Sequence, residues 1–419
     1  MPVRATKRGD ERTPLHADVD VLICGASFAG LACARELAGT RARVLIIDRY
    51  EVGERQTSAC AAPTEWLLAL GLEGSIRQTF GDLVVNTPDA RVRYGLPWTF
   101  STFDYPELCS LLFDQCGEAE FDTAKVEGIR RGRVHTVVTD RGELRAPLVV
   151  DALGWRRVLG SDMDVQPPHA RLSRGLEIHP HGEADDLELW IDRRYVRAGY
   201  SWRFPARDEL RIGVGSFEPR DHVKEPTVRL AGDLDADAVR YQGNWIPHQL
   251  RPATDDGVLF AGDSAGHCLP LTAEGIRTAL YFGLAAGREL RLVVEGRQTR
   301  EQALERYGSF SDEHAFAFRW LLRAQQLVGH FNRPPLVNWI VRGMDQPQLT
   351  RWFFDRYLAI APPEFAQNPR RSRSPGGVTP PPSTLRHAWA NHSTASTSAT
   401  TEAVLASSAE TAPIASRNR

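Results

Sequence analysis

The chain has 419 residues, enough for two or three folding units at roughly 100–200 residues per domain. Its 42% hydrophobic and 25% charged residues exclude a disordered chain, and 51 basic against 53 acidic side chains leave a net charge of −2, with no global drive toward nucleic acid. No run of about 18 apolar residues is present to span a membrane, and residues 1–16 lack the apolar stretch of a secretory signal.

Residues 1–16 are polar and read as a flexible arm. A strand–turn–helix–strand unit follows, with strands predicted over 19–24 and 44–47 and a helix over 31–37. A helix is expected around Trp66-Leu67-Leu68, and another over 104–116, where Leu108, Leu111 and Leu112 share a face. Strands are predicted over 134–139, 143–150, within 172–217 and at 258–261, and a long helix after Pro270. Residues 301–361 read as helical, rich in aromatics. From Pro362 onward, Pro, Ser, Thr and Ala dominate and a disordered tail is expected. The six cysteines (24, 33, 60, 109, 116 and 268) form no Cys-x-x-Cys pair and no metal-ligand spacing, so they read as reduced thiols of a cytoplasmic protein.

The turn Gly25-Ala26-Ser27-Phe28-Ala29-Gly30 has the length of a dinucleotide fingerprint, with Ser27 in place of the middle glycine. Gly25 suits the tight turn, Ser27 is small enough for a pyrophosphate to approach, and Gly30 allows close helix–strand packing. The helix start offers free N–H groups to phosphate. Asp48 ends the second strand, where a carboxylate would accept ribose hydroxyls, and Arg49 follows it. This fingerprint alone does not choose between FAD and NAD.

Two further segments choose FAD. Gly262-Asp263-Ser264-Ala265-Gly266 follows a predicted strand, and Pro270 and Glu274-Gly275-Ile276 come next. This resembles the second flavin motif of the FAD-dependent oxidoreductases that include the aromatic hydroxylases, with Ala273 where relatives carry Gly. The resemblance implies that Asp263 contacts the ribityl chain, and that backbone N–H groups after Pro270 stabilise negative charge on reduced flavin. Asp151-Ala152-Leu153-Gly154 resembles the same superfamily's element beside the adenine half.

Tyr200-Ser201-Trp202-Arg203-Phe204-Pro205, followed by Gly213-Val214-Gly215, resembles the YxWxFP…GxG signature of the geranylgeranyl reductase family, and residues 243–247 resemble that family's Gly-x-x-Ile-Pro strand. Strand alternation sends Tyr200, Trp202 and Phe204 to one face, suited to a long apolar substrate; with Pro205, Gly213 and Gly215 they are the expected substrate contacts, and Trp202 joins Cys60 and Tyr200 among the expected catalytic residues. The resemblance implies reduction of carbon–carbon double bonds in an isoprenoid chain, with hydride from flavin N5 and a proton from Cys60, Tyr200 or ordered water. It implies that Cys60 faces the isoalloxazine. His267, beside the second flavin motif, reads as structural rather than as a proton relay.

The expected architecture is an α/β, Rossmann-like FAD-binding domain (about 17–100, 140–165 and 250–300) interleaved with an antiparallel-sheet substrate domain (about 100–140 and 165–250). C-terminal helices (301–361) and the tail (362–419) follow. NAD(P)H or a protein donor would supply electrons transiently, since no second fingerprint is evident. A lipid or small-molecule substrate is expected. Peripheral membrane contact is expected through Trp339, Ile340, Trp352, Phe353, Phe354 and Tyr357, with Arg342, Arg351 and Arg356 among them. An FAD-dependent monooxygenase and a non-catalytic flavin-bound redox module are the alternative readings. A flavin halogenase is disfavoured, because the chain holds only Lys7, Lys125 and Lys224, none within the motifs.

Overall fold

Val21–Cys24, Val44–Asp48, Leu148–Asp151 and Val258–Phe260 are short runs of almost wholly apolar residues, the pattern of strands buried on both faces. In the computed structural model, which describes residues 13–56, 58–161, 172–331, 334–344 and 346–367, they pair in parallel. Glu120–Thr123 extends this sheet at one edge and Thr254–Asp255 at the other, making six strands.

Helix Phe28–Arg35 packs closely on the long helix Ile276–Val294. Glycines make that approach possible: a Cβ at Gly283 would lie 2.4 Å from the Ala29 carbonyl oxygen, and one at Gly287 the same distance from that of Cys33. The main hydrophobic core lies between these helices and the parallel sheet.

An eight-stranded sheet carries the second face of the molecule, in the order Gln242–Pro247, Leu172–Ile178, Glu209–Ser216, Gly199–Ala206, Leu187–Trp190, Ile76–Asn86, Arg91–Phe103 and Ala61–Pro63. All its pairings are antiparallel except that of Leu187–Trp190 with Ile76–Asn86. A small four-stranded sheet joins Ala17–Asp18, Gly142–Ala146, His135–Thr139 and Val126–Arg130.

The expected interleaving is present, but the segments divide differently. Residues 76–100, assigned to the flavin domain, belong to the eight-stranded sheet, and strand Glu120–Thr123, assigned to the substrate domain, joins the parallel sheet. The long hairpin of residues 76–103 has half-exposed alternation that sequence periodicity does not assign to either sheet.

Helices Arg300–Asp312, Ala315–Phe331, Pro334–Gly343, Pro347–Leu358 and Glu364–Gln367 complete the described chain. The first starts at a capping box, Thr299 with Gln302. No helix among the described residues is long and apolar enough to cross a membrane. Two ends are better anchored than composition suggests. The Leu15 N–H donates to the Arg141 carbonyl at 2.8 Å, and Phe365 and Ala366 are buried. The rest of the expected arm and tail, residues 1–12 and 368–419, lies outside the described residues.

Candidate functional site

The carboxyl ends of the four central parallel strands carry the four sequence motifs, and together they edge a cavity of about 1170 Å³ that runs beneath the eight-stranded sheet. In open parallel sheets this edge is where ligands bind.

Gly25 has φ +115°, and a Cβ there would meet the Ala152 carbonyl oxygen at 2.3 Å; at Gly30 a Cβ would meet the Gly25 carbonyl oxygen at 1.8 Å. These two glycines shape the turn and do not line the cavity, whereas Ser27, Phe28 and Ala29 do. Ser27 is the N-cap of the first helix, yet its side chain caps no N–H; its oxygen accepts instead from the Tyr105 hydroxyl at 3.0 Å. The helix start therefore keeps donors for a phosphate.

Asp48 accepts from the Ala26 N–H at 2.9 Å and the Tyr50 N–H at 3.1 Å, which aims its carboxylate into the cavity mouth. Burial raises its pKa, and these backbone bonds partly offset that. Arg49 lines the same wall with a buried Nε that has no partner among the described residues.

Asp151 is fully buried and plays another part. Its carboxylate accepts from the N–H groups of Leu153 and Leu159 and from the Ser264 hydroxyl, at 3.0, 2.8 and 2.7 Å. The Gly154 N–H donates to Ser264 at 3.0 Å, so the two motifs are tied together, with Gly154 exposed to the cavity and Asp151 behind it. Asp263 is the reverse case: its carboxylate lines the cavity and accepts no hydrogen bond from the described residues, and burial alone lifts its pKa to about 6. A half-buried carboxylate aimed into a cavity without a donor fits a ligand that brings hydroxyls.

Glu274, Gly275 and Ile276 line the cavity; Pro270 does not, and its carbonyl accepts from Gln325. The Glu274 carboxylate is gripped by Arg277 through two contacts of 2.8 Å and by the Tyr357 hydroxyl. Ala273 lies in the left-handed region at φ +53°, where an alanine carries backbone strain that glycine would not.

The signature strand supplies the far wall. Tyr200, Trp202 and Phe204 all line the cavity. Trp202 pairs across the sheet with Gly213, and Tyr200 with Gly215. A Cβ at Gly213 would lie 2.2 Å from Trp202 Cζ2, and one at Gly215 3.4 Å from Trp202 Cζ3. The two glycines are the space the indole occupies; Gly213 lies under it, and only Gly215 reaches the cavity. Pro205 is turned away, its carbonyl accepting from Thr102 at 2.7 Å. The Tyr200 hydroxyl donates to the Thr272 carbonyl, and burial raises its pKa.

Cys60 departs from expectation. It does not line the cavity, although Ala59 and Ala61 do. Its backbone is left-handed, at φ +53°, which tucks the fully buried side chain behind the wall, and its thiol donates to the Ser58 carbonyl at 3.2 Å. Burial pushes the thiol pKa well up. His267 is packed as a structural residue, stacked on Phe282 at 3.6 Å and bonded to Ser311 at 2.9 Å.

Sequence reading missed Glu177, a carboxylate on the cavity wall that accepts the Trp202 indole N–H at 2.7 Å. Behind it stand His179, Glu209 and Arg211. Charged pairs spaced two apart at the ends of largely apolar strands, Glu177/His179 and Glu209/Arg211, are the signal that marks them.

A family profile described as Lycopene cyclase protein matches residues 20–189. Digeranylgeranylglycerophospholipid reductase 2 of Methanopyrus kandleri is 24% identical over 371 residues, covering 80% of this chain and 92% of the relative. Geranylgeranyl diphosphate reductase of Rhodobacter capsulatus is 30% identical over 148 residues, which cover 34% of this chain and 38% of that protein. Among solved structures, a geranylgeranyl bacteriochlorophyll reductase-like protein of Thermoplasma acidophilum superimposes with a TM-score of 0.72 at 15% identity, over 84% of this chain and 98% of the other.

Proposed function

We propose that this chain, which resembles geranylgeranyl reductases among the FAD-dependent oxidoreductases, reduces carbon–carbon double bonds of an isoprenoid chain. The observation that carries this reading is the cavity itself. One end is edged by fingerprint, Asp48 and Asp263 groups that fit FAD, and the other is walled by Trp202, Phe204, Trp98, Phe100, Leu189 and Phe354. A long apolar substrate laid along those walls is held dry beside the cofactor.

FAD held at this site would supply hydride-transfer chemistry. Ser27, Phe28 and Ala29 at the helix start would hold its phosphates, Asp48 its ribose hydroxyls and Asp263 its ribityl hydroxyls. Trp202 and Phe204 align the alkene, and Tyr200 closes the wall against the Thr272 carbonyl. NAD(P)H or a protein donor serves as the transient reductant.

The substrate reaches the cavity from a lipid surface. Helices Ala315–Phe331 and Pro347–Leu358 contribute Val328, Phe354 and Tyr357 to the cavity wall. On the outside, Trp339 and Trp352 are 72% and 46% exposed beside Arg342, Arg351 and Arg356. This mixture suits an anionic interface.

The test is anaerobic incubation of the reduced, FAD-loaded protein with a geranylgeranylated lipid. A product heavier by two mass units per reduced bond supports the reading, and an oxygenated product formed only with O₂ replaces it with the monooxygenase.

A further inference from the structure

Saturating a double bond consumes a proton as well as a hydride, and the residues expected to give that proton are poorly placed. Cys60 lies behind the wall, and the Tyr200 proton is committed to the Thr272 carbonyl. Glu177 stands on the cavity wall instead. Its Oε2 accepts from Trp202 Nε1, and its Oε1 accepts from His179 Nε2 at 2.8 Å and Gln242 Nε2 at 2.6 Å.

The other ring nitrogen of His179, Nδ1, faces Glu209 Oε1 at 3.2 Å. A histidine with a carboxylate at each nitrogen satisfies both contacts only as the imidazolium. Arg211 Nε reaches Glu209 Oε1 at 3.2 Å while its Nη1 donates to the carbonyls of Ala59 and Cys60, at 3.1 and 3.0 Å. Arg240 Nη1 reaches Glu209 Oε2 at 3.1 Å and is 40% exposed. The series therefore runs from the cavity through Glu177, His179 and Glu209 to solvent at Arg240.

We propose that His179, held as an imidazolium between Glu177 and Glu209, is a buried proton store that feeds the cavity through Glu177. This rests on the isoprenoid-reducing reading of the same site. The His179 Nε2–H bond breaks as a Glu177 O–H bond forms. That O–H bond then breaks as the second alkene carbon gains its hydrogen, directly or across one water, while the first carbon takes the hydride of the reduced flavin. The alkene is reduced by two electrons, the flavin is oxidised by two, and neutral His179 regains a proton from solvent past Glu209. The charged groups facing His179 are Glu177, on the strand that ends just before it, Glu209 and Arg211 on the neighbouring strand, and Arg240 beyond it. Burial pushes the His179 pKa down, but the hydrogen bonds and charges of the two glutamates outweigh it and hold it at about 9.

The test follows the single-turnover rate of alkene reduction by pre-reduced holoenzyme against pH, for wild type, His179→Gln and Glu209→Gln. The wild-type rate should hold to about pH 8 and fall through about 9. His179→Gln should bind flavin normally, slow by about 10²-fold and lose that limb. Glu209→Gln should move the limb downward by at least about one pH unit. Nitrogen-15 NMR of histidine-labelled wild-type holoenzyme should show both His179 nitrogens protonated at pH 7.5. A His179→Gln enzyme matching wild type in rate and profile overturns the relay alone, as does a His179 resonance that titrates near the ordinary value of about 6.5. A wild-type enzyme that reduces no isoprenoid alkene overturns the reading of the site.

Discussion

Asp263 shows at a single residue how binding opposes stability. Its carboxyl has a pKa of about 6, above the ordinary 3.8, because burial disfavours its charged form. The folded apo protein thus holds this proton more tightly than the unfolded chain does. The associated stability is full below about pH 4 and is lost as pH rises through 6. Asp263→Asn should therefore raise apo stability at pH 7.5 by roughly 1–3 kcal/mol while weakening FAD binding, read by thermal melts and flavin titration. A destabilised apo variant that keeps full flavin affinity contradicts the assignment. His179 works with the same sign. Its stabilisation by Glu177 and Glu209 is complete below about pH 6.5 and lost as pH rises through about 9. At Ala273, φ +53° makes alanine strained, so Ala273→Gly should stabilise by roughly 0.5–1 kcal/mol in denaturant titrations. Asp263 was legible because its motif has a fixed place after a strand. Glu177 and His179 carried only the two-residue spacing of their own pair as a local signal, and their other partners, Trp202 and Glu209, come from strands remote in sequence.

The signature strand acts as an element with its glycines. Alternation alone put Tyr200, Trp202 and Phe204 on one face, and the cavity has all three on its wall. Gly213 and Gly215 have a different meaning from the substrate contacts expected of them: they are principally the hollow that receives the Trp202 ring. Gly213→Ala should displace the indole, because the added carbon would sit 2.2 Å from it. The expected cost is roughly 1–3 kcal/mol of stability together with altered Trp202 fluorescence. Unchanged stability and fluorescence would contradict the packing. Cys60 failed as a flavin-facing residue for a backbone reason. A left-handed φ cannot be read from a small-residue stretch, and it decides which side of the wall the thiol takes.

For the whole molecule, the parallel strands and their motifs were legible because buried strands are apolar throughout and their turns are glycine-marked. The division between the two large sheets was not, because strands such as Ile76–Asn86 and Glu120–Thr123 choose their sheet through long-range pairing. The C-terminal helices join both halves of the functional account. Tyr357 grips Glu274 at the cavity wall, Phe354 walls the cavity, and Trp352 faces outward. Anionic vesicles should bind the protein in sedimentation, less at high salt, and replacing Trp339 and Trp352 by alanine should weaken that binding severalfold. Binding indifferent to both salt and the tryptophans would contradict the proposed surface. The most direct measurement of the central claim is a stopped-flow trace of the anaerobically reduced, FAD-loaded protein mixed with a geranylgeranyl lipid, paired with mass spectrometry of that lipid. Flavin should be reoxidised at once, with two mass units added to the lipid for each flavin reoxidised. Flavin that stays reduced until O₂ is admitted, with the lipid still unsaturated, would contradict it.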